Sequence, residues 1–217
     1  MNSCITCKEA IEHCMSTHTF AFAHLYGDEK IMDMHIHNCC EVYYSISGGK
    51  QFLIDHCLYD IRPGDLFLIN QFESHHLTQI DQQTHERIIL SIDPEYLSKL
   101  STGVTDLGHC FSFRDTRMPH QIHLSPKEQN RFMYFIHELH DDGGMGEDLL
   151  DQAIFLELMV FLNRAFAARC TDAAAPAQAP SSNYHAQVDA ILSYINSNIG
   201  EPLTLAGLSA HFFMSTS

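Results

Sequence analysis

The sequence predicts a mainly β domain, a small jelly-roll barrel, followed by an antiparallel helical hairpin and a short helical tail. Three observations predict it. Short β-prone runs separated by turn residues recur at near-regular spacing from about Phe20 to Phe113. After Gln121 the apolar residues change to helical spacing. A stretch of Ala, Pro and Ser at residues 171–183 (TDAAAPAQAPSSN) then separates the hairpin from the tail.

The β runs come first. Phe20 to Tyr26 is apolar and stops at Gly27-Asp28. Residues 35–47 read as one extended run closed by Gly48-Gly49, a hairpin signal. Gln51–Ile54 and Cys57–Ile61 flank a turn near Asp55-His56, and Pro63-Gly64-Asp65 is a turn in which proline presets φ. Leu66–Ile69 and Arg87–Ile92 are further strands, the first of them apolar throughout as a buried strand is.

The helices follow. Ser125-Pro126-Lys127-Glu128 is a capping box with proline in the first turn. Phe132, Phe135, Ile136 and Leu139 then recur at helical spacing until Gly143-Gly144. A second helix covers about Glu147 to Arg169, with Leu150, Ile154, Glu157 or Leu158, Phe161 and Ala165 on one side. Leu149, Leu156 and Leu162 widen its apolar surface, so the hairpin is expected both to pack on the barrel and to form a dimer interface. In the tail, Val188, Ile191, Leu192 and Ile195 make a helix ended by Asn198 and Gly200. Pro202-Leu203-Thr204 opens another, with Thr204 as N-cap and Leu205, Leu208 and Phe212 turned inward. The expected organisation is an N-terminal arm (1–19), a barrel (20–118), a helical hairpin (119–170), a linker (171–183) and the tail (184–217).

Composition narrows the function. Twelve basic against 27 acidic residues leave a net charge of −15, and such a surface repels a phosphate backbone. No run of about 18 apolar residues is present and no basic segment precedes an apolar one at the N-terminus, so a cytoplasmic protein without membrane contact is expected. Eight cysteines follow no regular framework and are expected to be free thiols. Cys4-x2-Cys7 with His13 and Cys14 has half the pattern of a zinc site and lacks a second pair.

The chemistry concentrates in His35, His37 and Glu41. In an unbroken strand, residues two and six positions on from the first share one face, so two imidazoles and a carboxylate would line the barrel interior. His75 is the expected fourth member, with His76 facing the other way; Tyr43 and Ser45 share the parity of Glu41 and are candidate pocket-lining residues. Three nitrogens and a carboxylate suit a divalent ion (Zn, Ni, Fe or Mn), and they equally suit a polar pocket that hydrogen-bonds an organic ligand. No catalytic residue is assigned.

The run His35-x-His37-x3-Glu41-x6-Gly48 resembles the first motif of the cupin superfamily, whose fold is a double-stranded β-helix. Residues 59–69 (YDIRPGDLFLI) resemble the second, in the form found in AraC-type regulators. Val188 to Ile199 and Leu203-Thr204-Leu205, with Leu208, His211-Phe212-Phe213 and Met214-Ser215, resemble the start of the AraC-family DNA-binding domain. The resemblance implies a cupin barrel binding a small effector, often a sugar or related metabolite, and a helical hairpin that makes a homodimer. It also implies a pair of helix-turn-helix units, whose first recognition helix would begin just after Ser215. DNA is therefore a partner only for a form carrying that complete domain. The N-terminal residues would be an arm that closes on the pocket.

Two other functions remain open on the residues alone. One is a metal-dependent cupin enzyme, a dioxygenase or isomerase, using the same cluster. The other is a metal or redox sensor combining the cluster with Cys39 or Cys40. The linker and half helix-turn-helix have no use in a cupin enzyme, so a non-enzymatic regulator is the expectation.

Overall fold

The computed structural model describes residues 6–27, 33–49, 51–55, 57–79, 85–112, 120–139, 144–172, 190–191, 194–195, 198 and 202–215. Two compact units emerge, the first holding residues 1–112 and 119–174 and the second residues 113–118 and 175–217. The division falls inside the Ala/Pro/Ser stretch, most of which lies outside the described residues.

The first unit is built on two antiparallel sheets. Strands β1 (Phe20–Gly27), β7 (His85–Ile92), β2 (Cys40–Ser45), β5 (Asp65–Ile69) and β8 (Gln121–His123) form the larger, in that spatial order. The smaller has β3 (Gln51–Ile54) between β4 (Cys57–Asp60) and β6 (His75–Gln79). The expected hairpin at Asp55 is present, pairing Ile54 with Cys57, and Asp55 takes the left-handed conformation (φ 50°). His56 of that turn lies outside the described residues.

The sheets face each other across a core of Ala21, Ala23, Leu25, Tyr43, Phe67 and Ile89 from one and Phe52, Ile54 and Leu77 from the other. The ring of Phe52 lies 4.9 Å from that of Tyr43 and 5.2 Å from that of Phe67, in tilted and edge-on arrangements that favour aromatic contact. Helix α1 (Cys7–Thr17) packs on this same core through Ala10 and Cys14. A capping box between Thr6 and Glu9 starts it, so residues 7–17 of the expected arm are a docked helix.

Two sequence expectations are corrected here. Gly48-Gly49 does not make a hairpin of β2 and β3, which belong to different sheets. Gly48 (φ +83°) lies so near the Pro63 ring that a Cβ would sit 3.1 Å from its Cδ, and its N–H donates to Ser45 Oγ. This tight turn carries the chain from one sheet to the other. Residues 35–41 are likewise not an unbroken strand: His35 makes one isolated bridge with His75, a bend follows, and β2 begins at Cys40. Strands β6 and β8 were not anticipated; each is short and rich in histidine or glutamine.

Helices α2 (Pro94–Leu100) and α3 (His109–Ser112) lead towards α4 (Pro126–Glu138) and α5 (Glu147–Asp172). The expected Ser125–Glu128 capping box opens α4, which buries Phe132, Phe135 and Ile136, and Leu139 caps its end in the core. Residues 140–143, including the Gly143 stop signal, lie outside the described residues. Phe135 meets Phe161 at 5.7 Å and Arg169 reaches back to Glu128, so α4 and α5 run antiparallel. They cover the outer face of the large sheet, where Tyr44 meets Phe132 and Phe20 stacks on Phe155 at 4.3 Å. Strand β2 is consequently buried on both faces.

The buried stripe of α5 differs from the expected one. Asp151, Phe155, Leu158, Met159, Leu162 and Phe166 are buried with Phe161 and Ala165, whereas Leu149 and Leu150 are exposed. The helix is apolar nearly all round, so periodicity could not select one side; the stacking of Phe155 on Phe20 does. In the second unit, α6 (Leu205–Phe212) has Thr204 as N-cap, its side chain accepting from the Gly207 N–H, as expected. Tyr194 lies against His211 (4.1 Å between centroids) and Phe212. Leu205, expected inward, is exposed, since it sits in the first turn ahead of the half-buried Leu208 and Phe212. Val188 and Leu192 of the preceding helix lie outside the described residues.

Arg169 ties three elements. It bonds both oxygens of Glu128 (2.9 and 2.7 Å) and the carbonyl of His123 on β8 (3.0 Å). Its hydrogen bonds hold the Glu128 carboxyl at about 2, below its ordinary 4.5. A depressed carboxylate pKa stabilises the fold above the unfolded value and stops doing so as pH falls through the folded one. Arg169→Ala should therefore lower stability by about 1 kcal/mol at pH 7, the scale of a well-oriented, partly exposed pair. The deficit relative to the parent should shrink between about pH 4.5 and 2, as measured by urea unfolding across pH.

Candidate functional site

Three imidazoles and a carboxylate meet at one end of the sheet pair. His35 and His37 come from the irregular segment before β2, Glu41 from β2 and His75 from the start of β6. The antiparallel bridge between His35 and His75 (N···O 3.3 and 3.1 Å) brings residues 40 positions apart into register. Ligand atoms of His35, His37 and His75 all lie within 4.8 Å of one another. Glu41 Oε2 is 3.1 Å from His37 Nε2 and 3.8 Å from His75 Nε2. Strand parity, on which the sequence argument leaned, is not what gathers them. The bridge and the bend do.

The outer ring nitrogens are tied down. The Nδ1 atoms of His35, His37 and His75 contact the backbone carbonyls of Asp33 (3.0 Å), Cys39 (2.9 Å) and Glu73 (2.8 Å). For His75, donation at Nδ1 leaves Nε2 as the lone-pair atom, the arrangement by which metal-ligating histidines are oriented, whereas His37 Nε2 faces Glu41. His75 Nε2 is buried and has no hydrogen-bond partner. A buried polar atom without a hydrogen bond costs about 1–3 kcal/mol.

Electrostatics separate the members. Burial is the largest influence on His37 and pulls its pKa down, but Cys39 and Glu41 together outweigh it and push it up to about 10. Burial opposes ionisation of Glu41 as well, yet His37, with His75 and His35, holds it at about 2. His75 is lowered, chiefly by burial, and so is neutral at pH 7. The cluster is an internal ion pair with one neutral imidazole beside it.

The remaining candidates are not gathered into the cluster: Ser45 pairs with Arg87 further along β2, whereas Glu41 pairs with Ser91, and Phe52 packs between Tyr43 and His75. Tyr43 shares the interior face with Glu41, packs against Phe52 and Phe67, and bonds His85 Nε2 through its hydroxyl at 2.5 Å. His85 in turn donates from Nδ1 to the Gly48 carbonyl (2.6 Å). Ser45 is buried with its Oγ accepting from Gly48 N. His76 points away and contacts Met34 Sδ. Sequence reasoning missed His85, Glu73 and His120, which belong to no recognised motif; their buried polar contacts become visible only across strands.

The thiols near the site are quiet. A contact with Cys14, then burial, pushes Cys39 far above its ordinary range, and burial does the same to Cys40. None of the seven cysteines among the described residues is in a disulfide. Of the half zinc pattern, Cys4 lies outside the described residues, Cys7 starts α1 and buried Cys14 donates to the Thr19 carbonyl.

Residues 19–159 match the family model of the AraC-like ligand binding domain. The chain belongs to this family. Its fold is also that of ToxT from Vibrio cholerae, which superposes with a TM-score of 0.56 at 11% identity over 91% of this chain and 72% of that one. The apo form of a ToxT point variant from the same organism gives 0.55 at 9% identity over 91% and 71%. No curated protein matches the chain in sequence. The AraC-like domain is thus a cupin-like pair of antiparallel sheets with helices on the outer face of the larger. Among the described residues, no helix is long and apolar enough to cross a membrane.

Thiolate character governs cysteine reactivity, so Cys14, Cys39, Cys40 and Cys110 should not react with an aromatic disulfide reagent in the native chain. The half-buried Cys7, Cys57 and Cys170 should react slowly, and all should react in denaturant. Rapid native labelling of Cys39, located by peptide mapping, would contradict this picture.

Proposed function

We propose that this chain is the sensory and dimerising region of an AraC-type transcriptional regulator, and that the cluster of His35, His37, Glu41 and His75 is where its small-molecule signal is read. The observation that carries the reading is the orphaned His75 Nε2, buried among two further imidazoles and a carboxylate inside an AraC-like ligand binding domain. The donor set fits a divalent ion. Zinc with imidazole ligands at about 2.0–2.1 Å needs its ligand atoms roughly 3.3 Å apart, so side-chain adjustments of an ångström or so suffice. His35, His37 and His75 would hold the ion with Glu41, and Zn, Ni, Fe or Mn all accept nitrogen with carboxylate. The ion would supply a fixed positive charge and open positions for an organic effector, a sugar or related metabolite.

Binding at the cluster would favour one arrangement of α1, the α4–α5 pair and the linker, and so bias DNA binding in a form with the complete helix-turn-helix domain. The exposed Leu149 and Leu150 on α5, with Tyr134 on α4, supply the apolar surface for a homodimer.

The direct test is calorimetry with Zn²⁺ and Ni²⁺ on the purified chain, with His75→Ala as the control. Stoichiometric binding that His75→Ala abolishes, without release of product from small organic acids or sugar phosphates, supports a sensor. If no ion binds and His75→Ala leaves stabilisation by candidate metabolites unchanged, the cluster is not the signal site. Turnover with bound ion would favour a cupin enzyme instead. For the dimer, sedimentation should show two copies in the parent and a shift towards one in Leu150→Glu; a monomeric parent would contradict it.

A further inference from the structure

A second group of buried and half-buried polar side chains stands directly behind the imidazole cluster. Glu73, in the loop between β5 and β6, contributes twice. Its carbonyl accepts the His75 Nδ1 proton (2.8 Å), and its carboxylate accepts the Asn70 backbone N–H (2.7 Å). The same Oε2 lies 3.3 Å from His120 Nε2, an ion-pair distance without hydrogen-bond geometry. His120 is nearly buried, and its other ring nitrogen meets the Tyr59 hydroxyl of β4 at 2.9 Å. Its backbone carbonyl accepts from Leu68 N on β5, and its next neighbours form β8.

From His120 the covalent chain runs through Gln121 and Ile122 to His123, whose carbonyl is held by Arg169 of α5. Gln121 also bonds the Asp60 carbonyl at the end of β4 (2.7 Å). A continuous set of contacts therefore joins the site to both sheet edges and to the helical pair. None of these side chains belongs to the motif that defines the cluster.

We infer that Glu73 and His120 are positioning residues of the imidazole site: anchoring of the Glu73 side chain by His120 and Asn70 places the Glu73 carbonyl that fixes His75 with its proton on Nδ1 and its lone pair inward. This deepens the functional reading above, on which its biological meaning rests. The physical logic is that of an outer shell. A loop carbonyl is a precise acceptor only if the loop is held, and a His75 released from it exchanges tautomers, presenting a proton where the lone pair should be. The route through β8 gives the helices a means of sensing how that loop is set, and it requires no other moving part.

The test reads the His75 tautomer by long-range ¹H–¹⁵N correlation on the full chain, labelled at histidine and without added metal. The parent should show His75 as a single Nδ1–H form at pH 7. Glu73→Ala and His120→Ala should both give a tautomer mixture, while Glu73→Gln, which keeps an oxygen for Asn70 and His120, should retain the single form. Unfolding curves identify any variant that fails to fold, and His120→Gln then replaces it with the same expectation of a mixture. Persistence of one Nδ1–H form in the folded Glu73→Ala or His120 variant overturns the inference. Because the readout needs no ion, absence of Zn²⁺ binding would defeat the metal reading and leave this result standing. Where the parent binds Zn²⁺, the same two alanine variants should weaken it about 10- to 100-fold.

Discussion

A carboxylate removed from water costs several kcal/mol unless it is paired and hydrogen-bonded. Glu41 is 1% exposed, the second residue of a strand buried on both faces. Its charge is tolerable only because imidazoles converge on it, and those imidazoles come from different parts of the chain. Satisfying Glu41 therefore forces the irregular segment at residues 33–39 to lie against the beginning of β6. The isolated bridge between His35 and His75 is the backbone expression of that demand. The site and the closure of the sheet pair at this end have one physical cause.

The same cause gives the cluster its character. Nothing in an apolar core would keep three rings and a carboxylate together, and here each ring is oriented from behind by a carbonyl. Two of the four groups satisfy each other as an ion pair. His75 is left over, neutral and with no hydrogen bond at its buried Nε2, which leaves that nitrogen available to a ligand. Elsewhere the space between the sheets is filled by Tyr43, Phe52, Phe67 and their neighbours, with α1 docked against them. The nitrogen available to a ligand thus lies at one end of the domain.

The helical pair is joined to this frame by few, well-defined contacts. Phe20 on Phe155 and Tyr44 on Phe132 supply apolar adhesion, while Arg169 supplies direction by holding Glu128 and the His123 carbonyl at once. An arginine fork has a fixed geometry, so the end of α5, the start of α4 and strand β8 are set relative to one another. Under the proposed function, a signal bound between the sheets would reach the helices on the outer face through this connection.

The sequence by itself determined the features whose cause lies within a few residues. The Ser125–Glu128 box, the Thr204 cap and the Asp55 hairpin all appear where local hydrogen bonding and backbone preference put them. Of the residues it singled out, His35, His37, Glu41 and His75 do come together. Only the tertiary structure decided how. Gly48-Gly49 passes between sheets because Pro63 packs on the turn from elsewhere, and α5 buries Phe155 instead of Leu150 because Phe20 lies opposite. His75 finds His35 through a strand that its own composition does not announce. Pairing across tens of residues depends on which distant surfaces must leave water together, and no window of neighbouring residues contains that information.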